Sequence, residues 1–263
     1  MKDRLTPIAI AGALFCVVVS MVMDGGNPAI LFKPAPLVLV FGGTFAASLG
    51  GILKSDVRNV RAVLEKAMGG DVAELDAAIE TIVELARAAK TTTVMSLEQQ
   101  VRSLDDRFLQ LGVQLVVDGR SSDEIREILE SEIDAMEERH RSGAKFFTAM
   151  GGFAPTLGIL GTVIGLVHVL GSLSSPGSLG PAIASAFTAT LWGVLSANLL
   201  WLPIANKLGR LSAVELKVKS MQLEGLLAIQ AGGSSRLVRT RMETFLAATD
   251  REQAQAEREE EAA

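Results

Sequence analysis

Residues 146–206 contain no Asp, Glu, Lys or Arg. This run holds the residues best suited to handle something polar in apolar surroundings. Pro155, Gly158, Thr162 and Gly165 fall at i, i+3, i+7 and i+10, one face of a helix. Pro155 has no N–H, so the carbonyl of Gly151 loses its helical donor. In an apolar interior that oxygen needs another partner, such as water or a cation. Thr162 adds a hydroxyl to the same stripe. Farther along, Ala186, Thr190, Gly193 and Ala197 form a second face of small residues, and Pro203 frees the carbonyl of Leu199. Two readings fit these faces. One is a route for an ion past hydroxyl and carbonyl oxygens. The other is close helix packing, which small residues such as the Gly161-x-x-x-Gly165 pair promote. A conducting membrane protein usually carries an ionisable residue inside a span. Here the only titratable candidate is His168, and its place near the outer end of the segment reads as interfacial. If ions cross here, the carrier carboxylate must come from a partner subunit.

Other chemistries find little support. The chain has two histidines, His140 and His168, and one cysteine, Cys16, which sits in an apolar run and can form no internal disulfide. No nucleophile–base pair, metal-ligand cluster or Gly-Lys-Ser/Thr phosphate loop stands out, so no enzyme, cofactor or tightly bound metal is expected. The basic residues are scattered in a chain of net charge −5, which argues against nucleic acid as a partner.

The elements that must position those residues are spans in a lipid bilayer. The 263 residues are 49% hydrophobic with a mean hydropathy of +0.35, but long uncharged runs alternate with strongly charged segments. A spanning helix needs about 20 apolar residues. Residues 5–23 and 34–53 supply two such runs, and residues 146–206 are long enough for two more, near 146–171 and 181–205. The turn between the last two is expected at Ser174–Ser178. Lys2 and Arg4 precede an apolar run, as in a signal peptide, but the run is long and no Ala-x-Ala site precedes Asp24, so it reads as a retained span. Basic residues collect on one side: Lys2 and Arg4; Lys54, Arg58, Arg61 and Lys66; Arg139, Arg141 and Lys145; Lys207, Arg210, Lys217 and Lys219. The opposite loops hold only Asp24 and Lys33. Both termini are therefore expected in the cytoplasm.

The expected class is all-α: a polytopic membrane protein with four transmembrane helices and a helical cytoplasmic domain between spans two and three. The expected divisions are 1–53 for the first two spans, 54–145 for the cytoplasmic domain, 146–206 for spans three and four, and 207–263 for a C-terminal helix with a charged tail. In the cytoplasmic domain Leu75, Ile79, Ile82, Val83 and Ala86 recur at helical spacing. Asp118-Gly119 signals a turn. Ser121 and Glu124 then form a capping box before a helix with Ile125, Ile128, Leu129, Ile133 and Met136 on one face. No breaker intervenes before Gly143, so this helix is expected to run close to, or into, the third span. Leu208–Ile229 reads as a helix ended by Gly232-Gly233, and residues 251–263 as a frayed, charged tail.

The chain resembles a known family at several of these places. Ala154-Pro-Thr-Leu-Gly-Ile-Leu-Gly-Thr-Val-Ile-Gly-Leu166 looks like the third-span signature of the flagellar motor stator A subunits, the MotA, PomA and MotP group of the MotA/TolQ/ExbB superfamily. Leu37-Val-Leu-Val-Phe-Gly-Gly-Thr-Phe-Ala-Ala47 resembles that group's second span. Leu115-Val-Val-Asp-Gly119 and the charged helix ending Glu138-Arg-His140 also match, over roughly residues 5–230. The resemblance implies a pentamer of this chain in the bacterial inner membrane, surrounding two copies of a MotB- or PomB-like B subunit whose single span supplies the ion-carrying aspartate. It implies that the transported ion passes Thr162 and Thr190, beside Pro155, Gly151 and Gly158. Pro155 and Pro203 match the family's mechanical kinks. Sodium-type members carry a threonine where Thr162 stands, and hydroxyl and carbonyl oxygens suit a hard cation; sodium is the expected ion and the proton the alternative. Engagement of the rotor protein FliG is expected from Glu98, Lys90 and Arg87, although Thr91-Thr92-Thr93 departs from the family's pattern there. The alternative reading is an ExbB- or TolQ-like channel subunit that energises envelope processes; those usually have one span before the cytoplasmic domain, where this chain has two.

Overall fold

The first helix is apolar on every side. This helix, α1 (Leu5–Met23), buries none of its residues within the chain, as a helix hydrophobic all round does when lipid is its surroundings. The computed structural model describes residues 5–53, 60–69, 73, 75–91, 104, 106–171 and 176–246. Among these described residues every regular element is helical.

A 3-10 turn at Pro28–Phe32 follows, capped by the Asn27 side chain, which accepts from the Ala29 N–H at 2.9 Å. Helix α2 (Pro34–Leu49) begins on a proline, whose missing N–H costs nothing at a first turn, and widens into a π turn over Val38–Gly42. It stops at Leu49 rather than running to residue 53, because Gly50-Gly51 follows and glycine loses most by being held helical. Helices α3 (Val60–Gly69), α4 (Leu75–Thr91) and α5 (Arg107–Val117) come next. Asp118 and Gly119, with Gly119 at φ +72°, end α5. The expected capping box then forms: the Ser121 N–H donates to Glu124 Oε2 at 3.0 Å, and the Glu124 N–H donates to Ser121 Oγ at 3.3 Å.

From that cap α6 runs unbroken over Ser122–Gly171, so the charged helix and the apolar segment are one element, as the lack of a breaker foretold. Helix α7 (Pro176–Ser196) begins inside the stretch expected as a turn, since Pro176 suits a first helical position; residues 172–175 lie outside the described set. A second π turn, Ala197–Trp201, leads into α8 (Leu202–Gln230). Gly232, at φ +73°, closes α8, and Ser234 caps α9 (Ser235–Glu243) by accepting from the Leu237 N–H. The charged tail from residue 247 lies outside the described residues.

Among the described residues, three helices are long and apolar enough to cross a membrane: α1, α6 and the Leu179–Gln230 stretch containing most of α7 and all of α8; α2 is apolar but shorter.

The chain divides into two compact units. The first comprises residues 1–71 and 139–211, the second residues 72–138 and 212–263. In the first, Phe146, Phe147 and Met150 of α6 pack with Ile204, Ala205 and Leu208 of α8 and Ala67 of α3. In the second, Ile82, Ile125, Leu129, Met221, Leu226, Val238 and Met242 are completely buried. The helical spacing read at Ile79, Ile82, Val83 and Ala86 is the core face of α4. Ile128 departs from the expected face and is 40% exposed, while Ile125 and Leu129 beside it are buried.

Candidate functional site

The two small-residue faces meet each other. A Cβ added to Gly158 would lie 2.9 Å from the Ala189 carbonyl oxygen and 3.1 Å from the Gly193 Cα. One added to Gly193 would lie 2.7 Å from the Ala154 oxygen. Higher up, Gly161 and Gly165 press on Ala189 and Ala186 at 2.6 and 2.5 Å by the same measure. The backbones of α6 and α7 thus approach as closely as glycine and alanine permit.

That approach brings the two threonines together. The Thr162 and Thr190 hydroxyls are hydrogen-bonded to each other. Each also lies 3.2 Å from the Gly158 carbonyl oxygen, and the Thr162 hydroxyl reaches the Ala186 oxygen at 3.2 Å. Four oxygens of one chain therefore cluster without a formal charge. Both threonines are half-buried. Gly158 provides both an oxygen and the room for the second helix.

The remaining residues of the expected path stand along α6. Pro155 lies within the helix and is half-buried. Gly151, one turn earlier, is buried against Leu202, and a Cβ there would lie 2.5 Å from a Leu202 methyl. Pro203 is the second residue of α8, directly after the π turn in which the Leu202 N–H donates to Ala197. Thr162, Thr190 and Gly158 are in contact; Gly151 and Pro155 precede them on α6, and Pro203 stands on α8 next to Leu202, the residue against which Gly151 packs. The π turn was not read from the sequence, although Pro203 four residues after Leu199 marked the place where the ladder loses a bond.

Outer contacts fix α7 against its neighbours. Trp192 donates its indole N–H to the Leu31 carbonyl at 2.6 Å and meets Phe41 edge-on at 5.5 Å. Lys33, the lone cation of its loop, donates to the Pro181 carbonyl at 2.9 Å. His168 is exposed beside a groove of about 440 Å³ between α2, α6 and α7.

The residues expected to face a rotor lie on α4 or beyond it. Arg87 and Lys90 are exposed on its last turns, and Arg87 already makes a contact within the chain. Glu98 lies outside the described residues. Helix α4 is held by Glu80, which accepts two hydrogen bonds of 2.6 Å from the Arg239 guanidinium of α9. That pairing holds the Arg239 guanidinium above its ordinary pKa.

A second charged lock, missed in the sequence, lies nearby in the same unit. Asp106 caps α5 by accepting from the Phe108 N–H and takes hydrogen bonds from Lys219 Nζ at 2.6 Å and Gln222 at 3.1 Å. Lys219 also lies over the Phe108 ring, 5.3 Å from its centre. Burial pushes the Asp106 carboxyl upward, but the hydrogen bond and charge of Lys219, with Gln222 and the Phe108 N–H, outweigh it and hold the group below its usual range. Nothing in the sequence pairs Asp106 with a lysine 113 residues away.

Residues 100–221 match the model of the MotA/TolQ/ExbB proton channel family. Along almost its whole length the chain is similar to Motility protein A of Bacillus subtilis (strain 168): 35% identical over 253 residues, covering 95% of this chain and 93% of that protein. The chain belongs to the motility protein A family. Two solved structures share its fold. The flagellar MotAB stator complex of Bacillus subtilis matches at a TM-score of 0.86 and 34% identity, covering 94% of this chain and 97% of that one. The C. jejuni MotAB structure matches at 0.88 and 26% identity, covering 94% and 96%. The likeness to motility protein A extends well before residue 100 and takes in the helices that precede the superfamily's shared segment.

Proposed function

We propose that this chain is the A subunit of a flagellar motor stator, which passes a cation through a complex with a B subunit and turns that flow into torque on the rotor. The observation that carries the ion path is the Thr162–Thr190 pair over the Gly158 carbonyl. It offers clustered neutral oxygens within residues 146–206, a segment that contains no carboxylate. Such a site can strip part of a cation's hydration shell but cannot neutralise its charge. The counter-charge then comes from a carboxylate on a partner, and the structural relatives are MotAB complexes, which supports a B subunit as that partner.

In this reading residues 1–53 and 146–206 form four spans, with α2 as the short one. Residues 54–145 and 207–263 lie in the cytoplasm with both termini, and the membrane is the bacterial inner membrane. Five copies surround two B helices, and the exposed end of α4, with Lys90 and Arg87, together with Glu98 farther along the chain, engages FliG. Sodium is favoured over the proton because hydroxyl and carbonyl oxygens are ligands for a hard cation. When the ion neutralises the B-subunit carboxylate beside Thr190 and Thr162, the B helices change their seat against α6 and α7, and the ring steps. Pro155 within α6 and Pro203 at the start of α8 give the helices of the ring places to bend. Each charge that crosses 100 mV releases about 2.3 kcal/mol, so repeated ion passage drives each substantial advance.

The test is swimming speed in a host lacking its own stator, complemented with this chain and its B partner, with sodium varied at fixed pH. Speed is expected to rise with sodium and to fall several-fold in Thr162→Ala, which removes one oxygen and leaves the Thr190–Gly158 bond. Speed indifferent to sodium and lost with a protonophore would make this a proton motor. An assembled complex that gives no motility would overturn the stator reading.

A further inference from the structure

Most polar side chains of the apolar helices have protein partners. Thr162 and Thr190 bond each other; Thr188 donates to the Ala184 carbonyl at 2.7 Å, Ser196 to Gly193 at 3.3 Å and Asn198 to Val194 at 2.9 Å. Three side chains behave differently. Thr44 Oγ1, Ser48 Oγ and Trp201 Nε1 are buried with no hydrogen-bond partner among the described residues, and Thr44 and Ser48 are 0% exposed. A buried polar group left without a partner costs about 1–3 kcal/mol. Native interiors hold few such groups.

The three share one region. Phe41, Thr44 and Ser48 stand at i, i+3 and i+7 of α2, on one stripe. The Phe41 ring meets the Trp201 ring edge-on at 6.1 Å. Leu49 and Ile52, just past the stripe, pack with Trp201 on one apolar cluster. Trp201 closes the π turn Ala197–Trp201, and Pro203 leaves the Leu199 carbonyl of that turn without its usual helical donor. The stripe of α2 that carries two unpartnered hydroxyls thus touches, through Phe41, the residue that carries an unpartnered indole N–H.

We propose that Thr44, Ser48 and Trp201 line an internal hydration site, in which bound water joins α2 to the π turn ahead of α8. Enclosure decides the ligand. With Thr44 and Ser48 sealed inside the chain, no side chain of another copy or of a B subunit reaches them. The indole N–H is only a donor, which disfavours a cation, and no carboxylate is present to balance one. Water accepts from the indole and exchanges bonds with both hydroxyls, within the two to four partners a buried water makes. The hydration site is separate from the Thr162–Thr190 cluster and does not depend on the stator reading. Its effect is to give the π turn hydrogen bonds that can be remade as α8 moves.

The sign of a substitution tests it, in the full complex with the B subunit. Thr44→Val keeps the shape and removes the hydroxyl. At a dry site it deletes an unsatisfied group and raises Tm; at a hydrated one it strands the water and lowers Tm. We expect Thr44→Val and Ser48→Ala each to lower Tm by about 2–4 °C. Thr44→Ser should keep the wild-type value, and Thr44→Val should couple to Trp201→Phe in a double-mutant cycle. A Tm at or above wild type in both hydroxyl deletions overturns the proposal. If those variants do not assemble, a cryo-EM map of the wild-type complex that resolves ordered water decides. Density within hydrogen-bond reach of Trp201 Nε1 and Thr44 Oγ1 supports the site, and closed apolar packing there overturns it.

Discussion

The two units close their interiors in different ways. In the first, two glycines bring α6 and α7 backbone to backbone: a Cβ at Gly158 or Gly193 would strike carbonyl oxygens and Cα atoms of the facing helix. In the second, glycines make room for side chains: a Cβ at Gly225 would meet the Ile82 and Met242 side chains, and one at Gly112 the Leu226 and Leu129 side chains. The solvent explains the difference. Burying large aliphatic groups gains little where lipid is as apolar as leucine, so close contact and hydroxyl–carbonyl bonds join α6 to α7 in the first unit. Water rewards the burial of Ile82, Leu129, Met221 and Leu226 in the second. The same difference separates their electrostatics, with neutral oxygens paired in one and ion pairs locking helices in the other.

The largest effect should come from glycine substitutions that probe this contrast. Gly193→Ala sets a methyl 2.7 Å from the Ala154 oxygen, on a backbone that can yield only if α6 and α7 part. Parting them also pulls Thr190 away from Gly158. We expect swimming to be abolished and the yield of assembled complex to fall at least several-fold. Gly225→Ala meets side chains rather than backbone, the Ile82 Cγ2 methyl at 2.6 Å and the Met242 sulfur at 2.9 Å, and overpacking of that kind costs about 1–3 kcal/mol; motility should survive at low temperature. Equal tolerance at the two sites, read from swim-plate diameter and complex yield, would break the contrast.

Pro155→Ala comes next. It restores an N–H to the middle of α6 and supplies the Gly151 carbonyl with the donor it lacks. The introduced methyl is smaller than the proline ring and should crowd nothing, so assembly with the B subunit is expected to persist while torque is lost. Normal swimming in this variant would show that the kink has no mechanical role.

Much of this was visible in the sequence, for physical reasons that differ by region. The capping box at Ser121 and Glu124, the turn at Asp118-Gly119 and the unbroken run from there to Gly171 are local signals, and each is present as read. The facing stripes of α6 and α7 were legible because small residues at helical spacing have few uses besides approach. That the stripes face each other, with Thr162 against Thr190, is a matter of register between helices 28 residues apart, which spacing alone does not set. The short α2, the two π turns and the Asp106–Lys219 lock were missed. A π turn is an insertion in the hydrogen-bond ladder with no residue signature beyond the nearby proline. The lock joins residues 113 apart, and local sequence signals do not reach across such a separation.

A smaller effect is expected from the lock itself, where it tests whether charge or burial holds the second unit. Lys219 is 8% exposed, so Asp106→Ala leaves an ammonium nearly enclosed beside Phe108. Removing one partner of a pair that is only partly solvated should cost about 2 kcal/mol. Lys219→Met in the same chain should recover part of it. The pH dependence has a definite sign. Asp106 is held below its unfolded value, so its contribution is fully present above about pH 4 and fades as pH falls through the lower folded value. Asp106→Ala should flatten the acid limb of stability, measured as the rate of limited proteolysis of the full chain against pH. An unchanged acid limb would assign that stability to the aliphatic core alone.

The smallest effect separates a surface ion pair that positions a helix from one that does not. Arg239 and Glu80 form a two-pronged pair between α9 and α4, with side chains 19% and 57% exposed. Arg61 and Glu65 form a single contact within α3, 90% and 66% exposed. Geometry favours the first, because two parallel bonds fix a guanidinium in one orientation and join residues far apart in sequence. Solvent reduces both, and Glu80 in particular remains in contact with water. Arg239→Ala is therefore expected to cost about 0.5–1 kcal/mol, and Arg61→Ala less than about 0.5 kcal/mol. The functional readouts should diverge more than the stabilities. Loosening α9 from α4 shifts the helix that carries Arg87 and Lys90, so Arg239→Ala should lower stall torque in tethered cells while free-swimming speed at low load stays near wild type. Arg61→Ala should change neither. A load-independent loss in Arg239→Ala would place its effect on ion passage and dissolve the distinction drawn between the two units.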